Sequence, residues 1–175
     1  HCRRASSGLD TRRSAQARNQ LVEVEVRVTN ENAGHHIPTD HPMRNILLVV
    51  PAKTADGPEL ELVEGSLVPH WGGEGSDSND YAGRPGKGFA KVLEELWTEV
   101  SPAIAYWNPT AILVDTRIPA RSTDISLYVF DTNGLEGEVE ITAQLIFRRA
   151  YKDLADLKGW EDADILMETA TTLLR

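Results

Sequence analysis

The chain has 175 residues, enough for one good hydrophobic core and marginal for two. At 41% hydrophobic and 26% charged it has the composition of a soluble globular domain, and its longest apolar runs, such as Ile46 to Val50, fall far short of a bilayer span. A net charge of −9 sets it against nucleic acid, whose phosphates repel it.

The chain opens on His1 with nothing like a signal peptide, which reads as a piece of a longer polypeptide whose preceding part carries the targeting and the main chemistry. Residues 1–19 lack apolar periodicity and are basic through Arg3, Arg4, Arg12, Arg13 and Arg18, so a tether or a short docked helix is expected. The charge serves either a solvated linker or a strap along an acidic partner. Cys2 is alone, which precludes an internal disulfide and a C-x-x-C-H haem attachment within these residues.

From Leu21 the pattern changes. Val22, Val24, Val26 and Val28 alternate with Glu23, Glu25, Arg27 and Thr29, the mark of a half-buried antiparallel strand. It ends at Asn30 to Gly34, and a loop follows from His35 to Pro42, held open by two prolines. Asn45 to Pro51 is a continuous apolar strand, Asp56-Gly57 a turn, and Leu60 to Leu67 a weaker strand. Residues 70–88 are rich in turn formers and predict a long loop. Phe89, Val92, Leu93, Leu96 and Trp97 recur at helical spacing and predict a short helix. Strands are expected at Ala111–Val114, Ile125–Phe130 and Val139–Phe147, with a turn at Asn133-Gly134. Beyond Tyr151 the spacing of Leu154, Leu157, Ile165, Leu166, Ala170 and Leu173 predicts helices.

Five to seven antiparallel strands make a two-sheet, immunoglobulin- or fibronectin-like sandwich the expected fold, with a short inserted helix and C-terminal helices. The expected organisation is a basic tether at 1–19, a sandwich at 20–150 with an insertion near 70–100, and a helical extension at 151–175.

The densest chemical constellation is His35, His36, Asp40 and His41, which holds three of the five histidines. Imidazoles and a carboxylate suit zinc, copper, nickel or non-haem iron, and an imidazole can also ligate a haem iron held by another domain. The same residues could simply hydrogen-bond loop carbonyls, and the sequence leaves both readings open. His70-Trp71-Gly72-Gly73 has the make-up of a pocket wall. Asp77 to Asp80 fails the EF-hand register, because Ala82 and Gly88 stand where Gly and Glu are required. Gly83 to Gly88 fails as a P-loop, since Gly88 follows Lys87 where Ser or Thr is needed. Asp115 and Arg117 at a strand end, with Asp124 beyond, read as a buried ion pair tying the strand to a loop. No Ser, His and Asp fall into a nucleophile arrangement, so catalysis by this chain is not expected.

The stretch Val26-Arg27-Val28-Thr29-Asn30-Glu31-Asn32-Ala33-Gly34-His35-His36-Ile37-Pro38-Thr39 resembles the V-x-N-x-G-A-G-H-x-x-P-T-G segment of the C-terminal β-sandwich domains of multihaem cytochromes c. Pro42-Met43-Arg44, Gly86 to Leu93, Asp115 to Pro119, Asp124 to Phe130, Phe147 to Tyr151, Lys158 to Trp160 and Asp164 to Glu168 follow in the family's order, so the likeness runs over about residues 22–168. It implies an exported, periplasmic or extracellular protein of an electron-transfer chain, acting as a noncatalytic scaffold or docking domain. Haem c would be held by another chain or segment, and that haem-bearing unit would be the partner, within a larger assembly. His1, His35, His36 and Arg44 are the residues the resemblance places beside the cofactor, His1 as a distal ligand just after the last C-x-x-C-H. Asp40 departs from the family's Gly, and the C-x-x-C-H region is missing. The alternative is a metal-binding module using His35, His36, Asp40 and His41; an enzyme with its site in the 70–88 loop ranks below both.

Overall fold

The computed structural model of the chain describes residues 7–13, 21–39, 41–54, 57–105, 107–134, 137–161 and 164–174. Its strands are β1 (Ser7–Arg13), β2 (Leu21–Asn30), β3 (Asn45–Val49), β4 (Ala52–Thr54), β5 (Glu61–Glu64), β6 (Gly86–Phe89), β7 (Lys91–Glu95), β8 (Thr110–Asp115), β9 (Thr123–Asp131), β10 (Val139–Arg148) and β11 (Ile165–Leu174). A single 3-10 turn (His70–Gly72) and one helix, α1 (Lys152–Lys158), complete the described elements.

The alternation read in β2 is realised in its register. Val22, Val24 and Val26 stand opposite Phe130, Tyr128 and Ser126 of β9, and the inward side chains line one face of a sheet ordered β1-β2-β9-β5. The second sheet runs β11-β10-β3-β6, with β4 also on β10. Between the two lies the main core: Val24, Val26, Val28, Tyr128 and Phe130 from one side, Ile46, Leu48, Phe89, Ile141, Ala143 and Leu145 from the other. Every strand pairing is antiparallel, and β1 and β11, the end strands of the two sheets, lie against one another. The fold is a mainly β sandwich, as the period-two segments require.

β3 is buried at all five positions, which is why its apolar run is continuous rather than alternating. Ile46 and Leu48 face the main core. Leu47 and Val49 face a second cluster with Val68, Trp71, Ala90, Val92, Ile146 and Tyr151, on the outer face of the second sheet. The glycine-rich stretch after residue 65 is therefore packed covering, with Trp71 set edge-on to Tyr151 at a centroid distance of 5.5 Å.

Three expected elements differ. The helix predicted over Phe89–Trp97 is the end of β6 followed by β7, because Phe89 enters the main core while Ala90 and Val92 enter the second cluster, and Leu96 and Trp97 are exposed. No common stripe exists for a helix to bury. The C-terminal helices reduce to α1; Ile165–Leu174 instead pairs with β10 from Val139↔Leu174 to Phe147↔Ile165, with a bulge near Leu145. Thr169, Thr171 and Thr172 fit a pleated strand better than a helix. Within the expected tether, Ser7–Arg13 forms β1 on the edge of β2, through backbone hydrogen bonding that leaves no hydrophobic period in the sequence.

Candidate functional site

The histidine loop leaves the sandwich where β2 ends. Asn30, only 1% exposed, organises the exit. Its side-chain amide N–H groups reach the carbonyls of His35 at 2.9 Å, Ile118 at 3.2 Å and Pro119 at 3.1 Å, and its Oδ1 accepts the Ala33 N–H at 3.2 Å. Ile37 and Ile118 then exchange two backbone hydrogen bonds of 2.9 Å. The Ile37-Pro38 peptide is cis, and Ile37 is buried against the main core. At the far end of the loop Tyr151 Oη donates to the Pro42 carbonyl at 3.1 Å, and burial pushes that phenol's pKa well up. The loop is thus pinned at entry, middle and exit.

On this frame the histidines differ in what their ring nitrogens can do. His35 is exposed, with Nδ1 3.0 Å from the His36 carbonyl. A carbonyl oxygen only accepts, so Nδ1 carries the proton and Nε2 presents a lone pair to the outside. A ligating histidine is commonly oriented in this way, its other ring N–H donating to a backbone carbonyl. His41 shows the opposite pattern: the Met43 N–H points at its Nδ1 across 3.4 Å, which puts the neutral ring's proton on Nε2. His36 is exposed and lies close enough to Asp115 to act on its charge. Among the described residues no three of His, Cys, Asp and Glu converge as a metal-ligand set; Asp40 lies outside them, as do His1 and Cys2.

Arg44 joins His41, Lys91 and Arg117 around a crevice of about 10 Å³ beside Pro38. That is the space of roughly one water, so an anionic group would lie across these side chains rather than enter between them. Arg117 grips Asp115 through bonds of 2.8 and 2.6 Å. The guanidinium's side-chain hydrogen bonds hold the Asp115 carboxyl below the usual carboxylate range. Asp115 and Arg117 do pair, but as a partly exposed contact between residues two apart at the end of β8 rather than the buried tie expected. Asp124 pairs instead with Lys87 and accepts a hydrogen bond from Ser126 at 2.9 Å.

The other constellations resolve into structure. His70 is exposed and Trp71 fills the second cluster rather than lining a pocket. A Cβ on Gly88 would lie 2.1 Å from the Trp71 ring, so this glycine of β6 serves close packing, and Gly86-Lys87-Gly88 is strand rather than a phosphate-binding turn. Asp77 and Asp80 sit 3.9 and 3.8 Å from Lys152 Nζ, which also pairs with Asp156 at 2.6 Å. Two organising residues stood in the sequence only as members of the family-like segments, with no role assigned. By chemistry alone Asn30 reads as a strand end. Buried Arg148 holds Asp164 through 2.8 and 2.9 Å bonds, donates to the Gly72 and Asn79 carbonyls, and lies over the Tyr81 ring.

Among solved structures, the chain is similar to a penta-heme cytochrome c552 from Thermochromatium tepidum, with a TM-score of 0.66 and 19% identity over 98% of this chain. The chain spans about 40% of that cytochrome's length. At that identity the likeness is one of fold: this sandwich is an architecture found within a multihaem cytochrome chain. No family model matches the sequence, and no curated protein does. Among the described residues no helix is long and apolar enough to cross a membrane.

Proposed function

We propose that the chain is the haem-free β-sandwich of an exported multihaem cytochrome and acts as a docking scaffold for the haem-bearing part, without catalysis of its own. The observation that carries this reading is the fold likeness over nearly the whole chain to a part of a penta-heme cytochrome. The single cysteine supports it from the other side, because covalent haem attachment must then lie outside these residues.

Within that reading the pinned loop offers His35 Nε2 as an axial ligand, and Arg44, Lys91 and Arg117 offer cationic partners for propionate carboxylates. Bound haem would supply one-electron exchange; the chain's own part is to hold an imidazole in one tautomer and to neutralise carboxylates at the rim. Periplasmic or extracellular location belongs to the same proposal.

The test is expression of the full reading frame containing this sequence with a cytochrome c maturation system, followed by peptide mapping of covalent haem. Haem should map outside residues 1–175, and His35→Ala should convert one haem from six-coordinate low spin to high spin in its electron paramagnetic resonance spectrum. A product without haem, and with no haem-bearing partner co-purifying, overturns the scaffold reading. An unchanged spectrum in His35→Ala overturns the ligand role alone.

A further inference from the structure

β7 and β8 form a two-stranded ribbon separate from both main sheets. β7 faces the body, with Val92 and Leu93 buried, but β8 is half-exposed at Thr110 and exposed from Ala111 to Asp115. Among the described residues no strand pairs with the other edge of β8. A row of backbone N–H and C=O groups therefore runs along Ala111-Ile112-Leu113-Val114, a stretch between Pro109 and Asp115 that itself holds no charge or proline and that, among the described residues, no strand covers. The connection between the strands adds Leu96, Val100, Trp97 at 76% exposure and Trp107 at 75%.

Charge singles out the same region. About a quarter of the chain is charged, yet residues 100–114 contain no Asp, Glu, Lys or Arg. Two bodies of net charge −9 repel one another over most of their surface, and this stretch can meet its own copy with no like-charge contact.

Size agrees. Two indoles three-quarters exposed present about 300 Å², and Leu96, Val100, Ile112, Leu113 and Val114 add roughly 300 Å² more. The sum, about 600 Å², lies at the upper end of what a soluble monomer shows and at the lower end of what each partner buries in a standard interface.

We infer that β8 pairs antiparallel with β8 of a second copy of this chain. The ribbons then join into one four-stranded sheet, β7-β8-β8-β7, about a two-fold axis. A strand edge calls for another strand, and an identical one in antiparallel orientation satisfies both rows of backbone groups at once. The pairing uses the open edge of both copies, so assembly closes at two. This inference stands independently of the cytochrome reading.

Sedimentation equilibrium of the 175-residue chain at about 100 μM should give a mass near twice 19.3 kDa, falling toward the monomer on dilution. Raising salt should strengthen association, since screening removes the repulsion between the bodies and breaks no ion pair at the contact. Leu113→Lys, at a side chain 55% exposed and outside both core clusters, should keep the folded circular dichroism spectrum and weaken the dimer by at least about tenfold. Trp97→Gln serves as the second variant. Hydrogen exchange at residues 110–114 should slow as wild-type concentration rises. A chain that stays monomeric at about 100 μM overturns the inference, whatever else the ribbon binds in a longer polypeptide. So does a dimer that survives Leu113→Lys with exchange at 110–114 unchanged.

Discussion

Replacing Asn30 by Ala tests whether one buried amide holds the histidine loop. The substitution removes the donors that serve the His35, Ile118 and Pro119 carbonyls and the acceptor that serves the Ala33 N–H. Of these four bonds only that to Ile118 is fully buried; the others are part-buried, so water can replace much of what is lost there. One orphaned buried carbonyl and three weakened bonds together amount to about 2–3 kcal/mol of destabilisation. For a domain of this size that corresponds to a fall in Tm of about 5–10 °C. Urea unfolding followed by circular dichroism gives the free energy, and hydrogen exchange should show faster opening at Ala33, Ile37 and Ile118 than in β10. Asn30→Asp should be worse than Asn30→Ala, because it keeps the acceptor for Ala33 but aims a carboxylate at three carbonyl oxygens. A stability loss under about 0.5 kcal/mol for Asn30→Ala, or an Asp variant more stable than the Ala variant, refutes the clamp.

Gly88→Ala should destabilise by about 1–3 kcal/mol, because the added methyl meets the Trp71 ring; denaturant melts of Gly88→Ala alone and combined with Trp71→Phe should show partial recovery in the pair. His35→Ala should leave Tm within about 1 °C of wild type, since the side chain is exposed; a large drop would assign His35 a structural role instead. The Asp115–Arg117 pair should contribute to acid stability with a defined sign. The folded-state pKa of Asp115 lies below its ordinary value, so the stabilisation is present at neutral pH and is lost as pH falls through the carboxylate range. Comparison of wild type with Asp115→Asn by unfolding between about pH 7 and pH 2 should show a shallower acid slope in the variant.

Two interior strands were legible because burial on one face writes a period of two into the sequence, Val22 to Val28 in β2 and Ile141 to Phe147 in β10. In β9 both faces are largely apolar, and it is Ser126, Tyr128 and Phe130 that turn inward while Ile125 and Leu127 face out. β3 was legible by a different sign, an unbroken apolar run, because two clusters claim its two faces. The edges were not. β11 has only partial burial along its length, so Ile165, Leu166 and Leu173 fall at spacings that imitate a helix. β7 was disguised by exposed Leu96 and Trp97, whose apolar character reflects the surface of the ribbon and not a core stripe. At the site, residue type pointed to the loop from His35 to His41, but only backbone geometry separates the histidines by tautomer. Residue type alone does not mark Asn30 or Arg148 as organisers, since the carbonyls of Ile118 and Pro119 that Asn30 reaches, and those of Gly72 and Asn79 that Arg148 reaches, lie far away in sequence.

The two-sided burial of β3 bears on how far this domain can be trimmed. A cut-down version retaining only the paired sheets would strip Val68, Trp71 and Tyr151 from over Leu47 and Val49 and leave greasy side chains of a central strand open to water. The ornate segment between β5 and β6 is consequently a third layer, and surgery on it belongs with surgery on the core rather than with loop grafting.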